Sequence, residues 1–421
     1  MTAWGPQGVG PVASSRPDLP IVVAGGYDYS IAMNQVSTIT VRELARTRQV
    51  LYLHSELGGS LLSVLQGRGR YVQPCRVARI AAGGMRPRRV EERLWIAPLR
   101  GPVAYAPLAY PEPLRRHAVR VLTGVVRGWL RDRGEEACLL LCYWPELPEL
   151  VRSLPVAASA YDCTDDHATM PGRVVPAARV RTLEERLLDA VDRTWVVSPG
   201  LLEERDDGHR RLEVAASPID LRLFERVSAE PPIDLPGLQG RTGPVIGYAG
   251  GLTERMNWTL LEALAERRPE WTFLFVGHDP VAAPRALHRR ENVVFTGLLP
   301  YDRALRAIAR FDVGVIPVRT GAFSHGNSFL KLADYLASGL PVVASDVPDT
   351  AAAAARAPEA ITVATGTDAW LTALDAAVAG TRTDDVRRAR RLLLEERTNE
   401  RRVAALVAAL EEDRMARAQD A

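Results

Sequence analysis

At 421 residues the chain is too long for one core and long enough for two domains of roughly 150–200 residues each, and its 47% hydrophobic and 25% charged content is that of a globular protein. A formal net charge of +2 argues against bulk nucleic-acid binding, and no stretch approaches the roughly 18 consecutive apolar residues of a membrane-spanning helix. Cys75, Cys138, Cys142 and Cys163 show neither CxxC spacing nor clustered histidines, so neither a zinc site nor a disulfide framework is expected, and the simple reading is reduced thiols in the cytoplasm.

Residues 1–19 are rich in Gly, Pro and Ser, lack the basic-then-apolar layout of a secretion signal, and are expected to form a disordered tail. Order begins with an apolar strand at 21–24, a turn at Gly25 and Gly26, a helix over 34–46 and a second strand at 50–53. Strand, glycine turn, helix, strand is the opening of a doubly wound α/β domain, whose ligands sit at the carboxyl ends of the strands. Residues 57–100 and the helix expected over 114–133 are strongly basic. Two readings stand: a patch for a membrane surface or an anionic acceptor, or a solvated arginine face partly paired with glutamates. A strand at 156–161 runs into Asp162, Asp165, Asp166 and His167. A helix cap would use one carboxylate of that cluster, and the remainder suggest a base or orienting group for a substrate hydroxyl, with Asp162, Asp165 and His167 as candidates. The first domain is placed at 20–229, and a Pro- and Gly-rich linker at 230–243.

The second domain, 244–395, repeats the opening: a strand at 245–249, Gly250 and Gly251, and a helix over 257–267. Glycines let backbone N–H groups approach a pyrophosphate, and Arg255 beside the helix start is placed to neutralise it. Further strands span 271–277, ending at Gly277, and 292–298, which includes Gly297, and another at 313–317 leads into a polar loop containing His325, Asn327 and Ser328. A helix follows with apolar residues at helical spacing, a left-handed cap at Gly339, Pro341 to stop it and a buried strand at 342–344. Lys331 and Asp334 stand one turn apart in it. They read either as an exposed i,i+3 pair or as a diphosphate-binding cation with a carboxylate that accepts hydrogen bonds from a ribose diol. Helices over 367–379 and 383–417 complete the chain, the last segment being 396–421.

The run from Lys331 through Asp334, Gly339 and Pro341 (KLADYLASGLPVV) resembles the donor-binding segment of GT-B glycosyltransferases of the family 4 type, particularly the bacterial branch that builds surface polysaccharides such as teichuronic acid. The glycine loop GYAGGLTERMN, with Arg255, and the acid-rich YDCTDD are similar to the same branch. This resemblance implies a GT-B fold: two Rossmann-like domains facing across a cleft, with a C-terminal helix crossing back to the first. It implies sugar transfer from a nucleotide-diphosphate sugar, as co-substrate and not cofactor, to a glycan, lipid-linked or small-molecule acceptor, with retention and without a metal. Donor contacts fall by position on Gly250, Gly251, Arg255, Gly277, Gly297, Asn327, Ser328, Lys331 and Asp334, and the loop at Gly25 and Gly26 faces them from the acceptor side. The expected setting is the cytoplasm, with peripheral membrane contact through the basic first domain. The family's residue at Asp334 is usually glutamate, and its second glutamate, which contacts the transferred sugar, corresponds to Gly326. That departure keeps two other readings open: a GT-B sugar-nucleotide epimerase, and a non-catalytic partner with a decayed donor site.

Overall fold

The computed structural model describes residues 18–420, apart from 26–28, 30–34, 56–84, 100–111, 170–175, 279–282, 322–325 and 381–390 and positions 146, 232, 327, 392 and 396. Gly26, His325 and Asn327, most of the first basic stretch and nearly all of the proposed N-terminal tail therefore lie outside the described residues.

Two sheets organise the chain. The first comprises β1 (Ile21–Ala24), β2 (Val50–Ser55), β3 (Arg88–Glu91), β4 (Leu94–Leu99), β5 (Cys138–Cys142), β6 (Val156–Cys163), β7 (Arg193–Val196) and β8 (Leu212–Val214), in spatial order β3-β4-β2-β1-β5-β6-β7-β8. Only β3 runs antiparallel, against β4 at the edge. The second comprises β9 (Val245–Ala249), β10 (Thr272–Val276), β11 (Val293–Phe295), β12 (Val313–Ile316), β13 (Val342–Ser345) and β14 (Ile361–Ala364), all parallel, in the order β11-β10-β9-β12-β13-β14. Both orders reverse beside their first strand, the arrangement that opens a crevice at the carboxyl ends of the strands. The central strands are apolar because helices cover both faces: every residue of CLLLC in β5 and of TFLFV in β10 is buried.

Two glycines inside the second sheet are there for packing. A Cβ on Gly247 would lie 2.1 Å from the Phe311 ring, and one on Gly314 would lie 2.6 Å from that of Tyr335. The two rings meet edge to face and fill the space those glycines leave. Around Gly339, φ is +71°, and the Leu340 N–H reaches back to the Tyr335 carbonyl at 3.0 Å. That is the Schellman closure the glycine predicts.

The basic stretch holds more structure than its charge pattern suggests: β3 and β4 form an edge hairpin there. Several of its arginines are engaged within the protein. The Arg133 guanidinium lies 4.0 Å from the Trp95 ring and 4.4 Å from the Trp129 ring, and Arg115 is buried against Glu149 at 2.6 Å. The last helix runs Asn399–Gln419, with helical residues at 391 and 393–395 before it. Its start is set by a crossing point, where the Ile219 N–H donates to the Arg397 carbonyl and the Asn399 N–H donates to the Ile219 carbonyl.

That helix packs on the first domain. Val403, Leu406 and Leu410 enter the core beneath β1 and β5, the Asn399 amide donates to the Ile39 carbonyl at 3.0 Å, and Arg193 meets Asp413 at 3.1 Å. Arg402 reaches Asp162 at 2.6 Å, and Asp162 is 0% exposed. Removing one partner of such a buried pair strands a charge. Arg402→Leu is expected to cost about 3 kcal/mol in urea unfolding, whereas breaking the exposed Arg267–Asp368 pair with Arg267→Ala should cost less than about 1 kcal/mol.

Candidate active site

The crevice of the second sheet is built from strand ends that approach one another through bare backbone. Gly250 follows β9 with φ +143°, and Gly277 follows β10 with φ +150°. A Cβ on Gly277 would stand 2.0 Å from the Gly250 carbonyl oxygen. The Gly250 N–H donates to Val276 at 2.9 Å, and the Gly277 N–H donates to Gly297 at 3.1 Å. Three glycines from three strand ends thus form one continuous edge, with Gly251 beside them held by the Tyr248 hydroxyl at 3.0 Å. No side chain larger than hydrogen fits at Gly277, so the edge stays open to a ligand's close approach.

Helix Leu330–Ala337 brings Lys331 and Asp334 to this edge. They are not an exposed surface pair. Lys331 lies against Gly250, where a Cβ would meet its Cε at 2.9 Å, and its Nζ sits 5.1 Å from the Tyr248 ring and 5.3 Å from the Phe329 ring. Burial pulls its pKa down to about 8; the nearby Arg255 pulls the same way, against the attraction of Asp334 and Asp349. Asp334 is buried and accepts a hydrogen bond from the Tyr301 hydroxyl at 2.7 Å. Its pKa is pushed up to about 6 by burial, only partly offset by that bond and by Lys331. Desolvation therefore outweighs the mutual attraction of the two groups, and each is shifted toward its neutral form. The N-cap residue Phe329 supplies no side-chain cap to this helix.

Ser328, in the loop before the helix, donates to Asp349 at 3.4 Å, and the Phe329 N–H donates to the other oxygen of the same carboxylate at 3.0 Å. Arg397 approaches Asp349 at 3.6 Å. Asp349, on helix Pro348–Arg356, is thus the anchor of the loop. Nothing in the local pattern around Ser328 signals it.

On the facing domain the acid cluster divides by role. Asp162 is turned into the protein against Arg402 and has no exposed surface, so its position is that of a structural anchor. Asp166 is held with Glu184 by Arg205, both at 3.0 Å, and the Tyr161 hydroxyl donates to Glu184 at 2.8 Å. Asp165 and His167 line a small cavity of about 60 Å³ at the domain boundary, together with Ser37, Tyr143, Trp144 and, from the second domain, Ser328 and Leu330. Asp165 lies 3.6 Å from Arg255 across the cleft. Gly25, with φ +89°, sits under Trp144, where a Cβ would come within 2.7 Å of the ring. At Gly326 the two domains touch: a Cβ there would meet Leu201 at 2.7 Å and Asp166 at 3.4 Å.

Residues 243–379 match the family model described as glycosyl transferases group 1. Over 230 residues the chain is 28% identical to TuaH of Bacillus subtilis (strain 168), named as a teichuronic acid biosynthesis glycosyltransferase, covering 52% of this chain and 57% of that one. It is 26% identical over 245 residues to the 2-deoxystreptamine glucosyltransferase of Streptomyces kanamyceticus, covering 49% and 62%. The aligned regions thus span about three fifths of these relatives' length. Among solved structures, sucrose-phosphate synthase from Thermosynechococcus elongatus superposes with a TM-score of 0.65 at 15% identity, covering 93% of this chain and 98% of that one. The trehalose 6-phosphate synthase of Burkholderia multivorans gives 0.64 at 12% identity, covering 94% and 99%. Residues 243–379 are therefore similar to the glycosyl transferases group 1 family, in a chain whose fold is that of these GT-B structures.

Proposed function

We propose that the protein transfers a sugar from a nucleotide-diphosphate sugar, bound at the crevice of the second domain, to a hydroxyl of an acceptor held by the first. The observation that carries this reading is the pairing of Lys331 with Asp334 in a half-dry niche against the Gly250–Gly277 edge. A diphosphate on that edge would meet the Lys331 ammonium, the Arg255 guanidinium and the positive end of helix Leu330–Ala337. Asp334 would then exchange its Tyr301 partner for, or share it with, a ribose diol. A GT-B neighbour of the same fold, a trehalose-6-phosphate protein from E. coli, has been solved with UDP-2-fluoro glucose, in keeping with a uridine-type donor.

In the transfer step the bond from the sugar's anomeric carbon to the diphosphate breaks and its electron pair leaves with the phosphate. Arg255, Lys331 and the helix dipole meet that charge, with no metal called upon. The acceptor oxygen bonds to the anomeric carbon on the face the phosphate left, so configuration is retained, and its proton passes to Asp165 or to the departing phosphate. Glycan, lipid-linked and small-molecule acceptors all remain compatible with a cleft of this shape, and the exposed arginines of the first domain suit an anionic one or a peripheral membrane contact. No described helix is long and apolar enough to cross a membrane. The setting we infer is the cytoplasm.

Calorimetric titration of UDP, GDP, dTDP and ADP tests the reading directly. One nucleotide should bind, and Asp334→Ala should weaken it by about 1–3 kcal/mol, the cost of stranding groups hydrogen-bonded to the lost carboxylate. Binding of none of the four would sink the donor site.

Asp334→Asn separates a ligand-binding role from a structural one. A carboxyl whose folded pKa is raised to about 6 binds its proton more tightly than in the unfolded chain, so its contribution to stability falls as pH rises from about 4 to about 6. Above that window it is a net cost. The variant should therefore melt higher than wild type at pH 7, gain little at pH 4, and still lose nucleotide affinity. A lower melting temperature at pH 7 would instead assign Asp334 to the scaffold.

Lys331 gives a second readout. With its pKa at about 8 in the free protein, an incoming diphosphate favours the charged form and raises that value, so binding at pH 8 should take up about half a proton. Titrations in two buffers of different ionisation enthalpy measure the uptake, which Lys331→Met should abolish.

A further inference from the structure

Three acidic residues stand within five positions at the end of β6, and they are held in different ways. Asp162 is clamped by Arg402 at 2.6 Å and Asp166 by Arg205 at 3.0 Å, both inside the first domain and both buried. Asp165 alone of the three meets a cation from the other domain, Arg255, at 3.6 Å, and both side chains are 25% exposed. Its pair is the loosest, the wettest and the one that spans the cleft.

Arg255 has a second place to be. It follows the Gly250–Gly251 turn, on the same crevice edge where Lys331 lies against Gly250, so a diphosphate seated there falls within its field. A doubly charged phosphate attracts a guanidinium more strongly than one partly solvated carboxylate does, and it offers two oxygens in the fork geometry that arginine matches. Asp165, meanwhile, lines the small cavity shared with Tyr143, His167 and Ser328, where the two domains face each other.

We propose that Asp165 is an internal competitor for the donor's diphosphate: its carboxylate occupies Arg255 in the donor-free protein, and donor binding takes Arg255 away and leaves Asp165 facing the acceptor. The inference rests on the donor-site reading above. The carboxylate able to receive the acceptor's proton is neutralised by Arg255 until a donor is present. It also couples the two domains through one exchangeable ion pair, so that the phosphate charge is read on the acceptor side of the cleft.

The test is a double-mutant cycle on binding of UDP, GDP, dTDP and ADP, using the full chain. Asp165→Asn keeps the shape and removes the competing charge. A pair this exposed contributes modestly, so the nucleotide's Kd should fall by about three- to fivefold. In an Arg255→Gln background, where binding is weaker throughout, the same substitution should leave Kd within about 1.5-fold. Asp165→Ser repeats the cycle with a smaller side chain and should behave alike. An unchanged or raised Kd for Asp165→Asn with Arg255 intact overturns the competition while leaving the donor site standing. Equal tightening in both backgrounds overturns it as well, since that is a general field effect. Failure of every nucleotide to bind wild type and variant alike removes the donor site and the competition with it.

Discussion

Dehydration of opposite charges at the end of a parallel sheet governs this molecule. Lys331 and Asp334 lie close enough to attract each other, yet burial wins and both are moved toward neutrality. A site in that condition is unsatisfied without a ligand: it holds a cation that gains from an anion and a carboxylate that gains from hydroxyl donors. The surrounding architecture keeps it so. Gly277 against Gly250 brings bare backbone to the edge, the Ala249 N–H donates to the Tyr335 hydroxyl at 2.7 Å from beneath, and Asp349 ties down the loop before the helix. Each of these contacts holds a strand end or loop at the edge without filling it.

The two domains are joined by more than the linker. The terminal helix is the first domain's by packing, although it follows the second in sequence, and Arg402 plants it on Asp162 at the end of β6. The same strand end carries Asp165 and Asp166. Movement of the crossing helix relative to the second domain is therefore felt where the acid cluster faces the cleft. Helix Pro199–Arg205 also packs against helix Pro348–Arg356, a second contact between the domains.

Most of the scaffold was legible because it is local. Apolar runs bounded by glycines gave the buried strands, and Gly339 followed by Pro341 gave a helix end that the structure closes as a Schellman turn. The repeat of strand and double glycine at Gly25 and Gly250 foretold two similar halves. What stayed hidden was long-range or edge structure. The β3–β4 hairpin lies at a sheet edge, where its exposed arginines mask the alternation that marks a strand. Asp162 read as a reactive group because a fully buried aspartate and an exposed one look alike until its partner, 240 residues away, is known. Tyr301 as the partner of Asp334, and Leu201 as the neighbour of Gly326, are pairings between elements that no spacing rule connects.

The contact at Gly326 has a wider meaning. Gly326 has no side chain, and the space a Cβ would take belongs to Leu201, which is fully buried in the opposite domain's core. Any larger residue at that position acts as a wedge between the halves, so the size of this one residue sets how closely they approach. Leu201, opposite Gly326, thus sets how far the loop can depart from hydrogen before the two faces of the cleft must move apart.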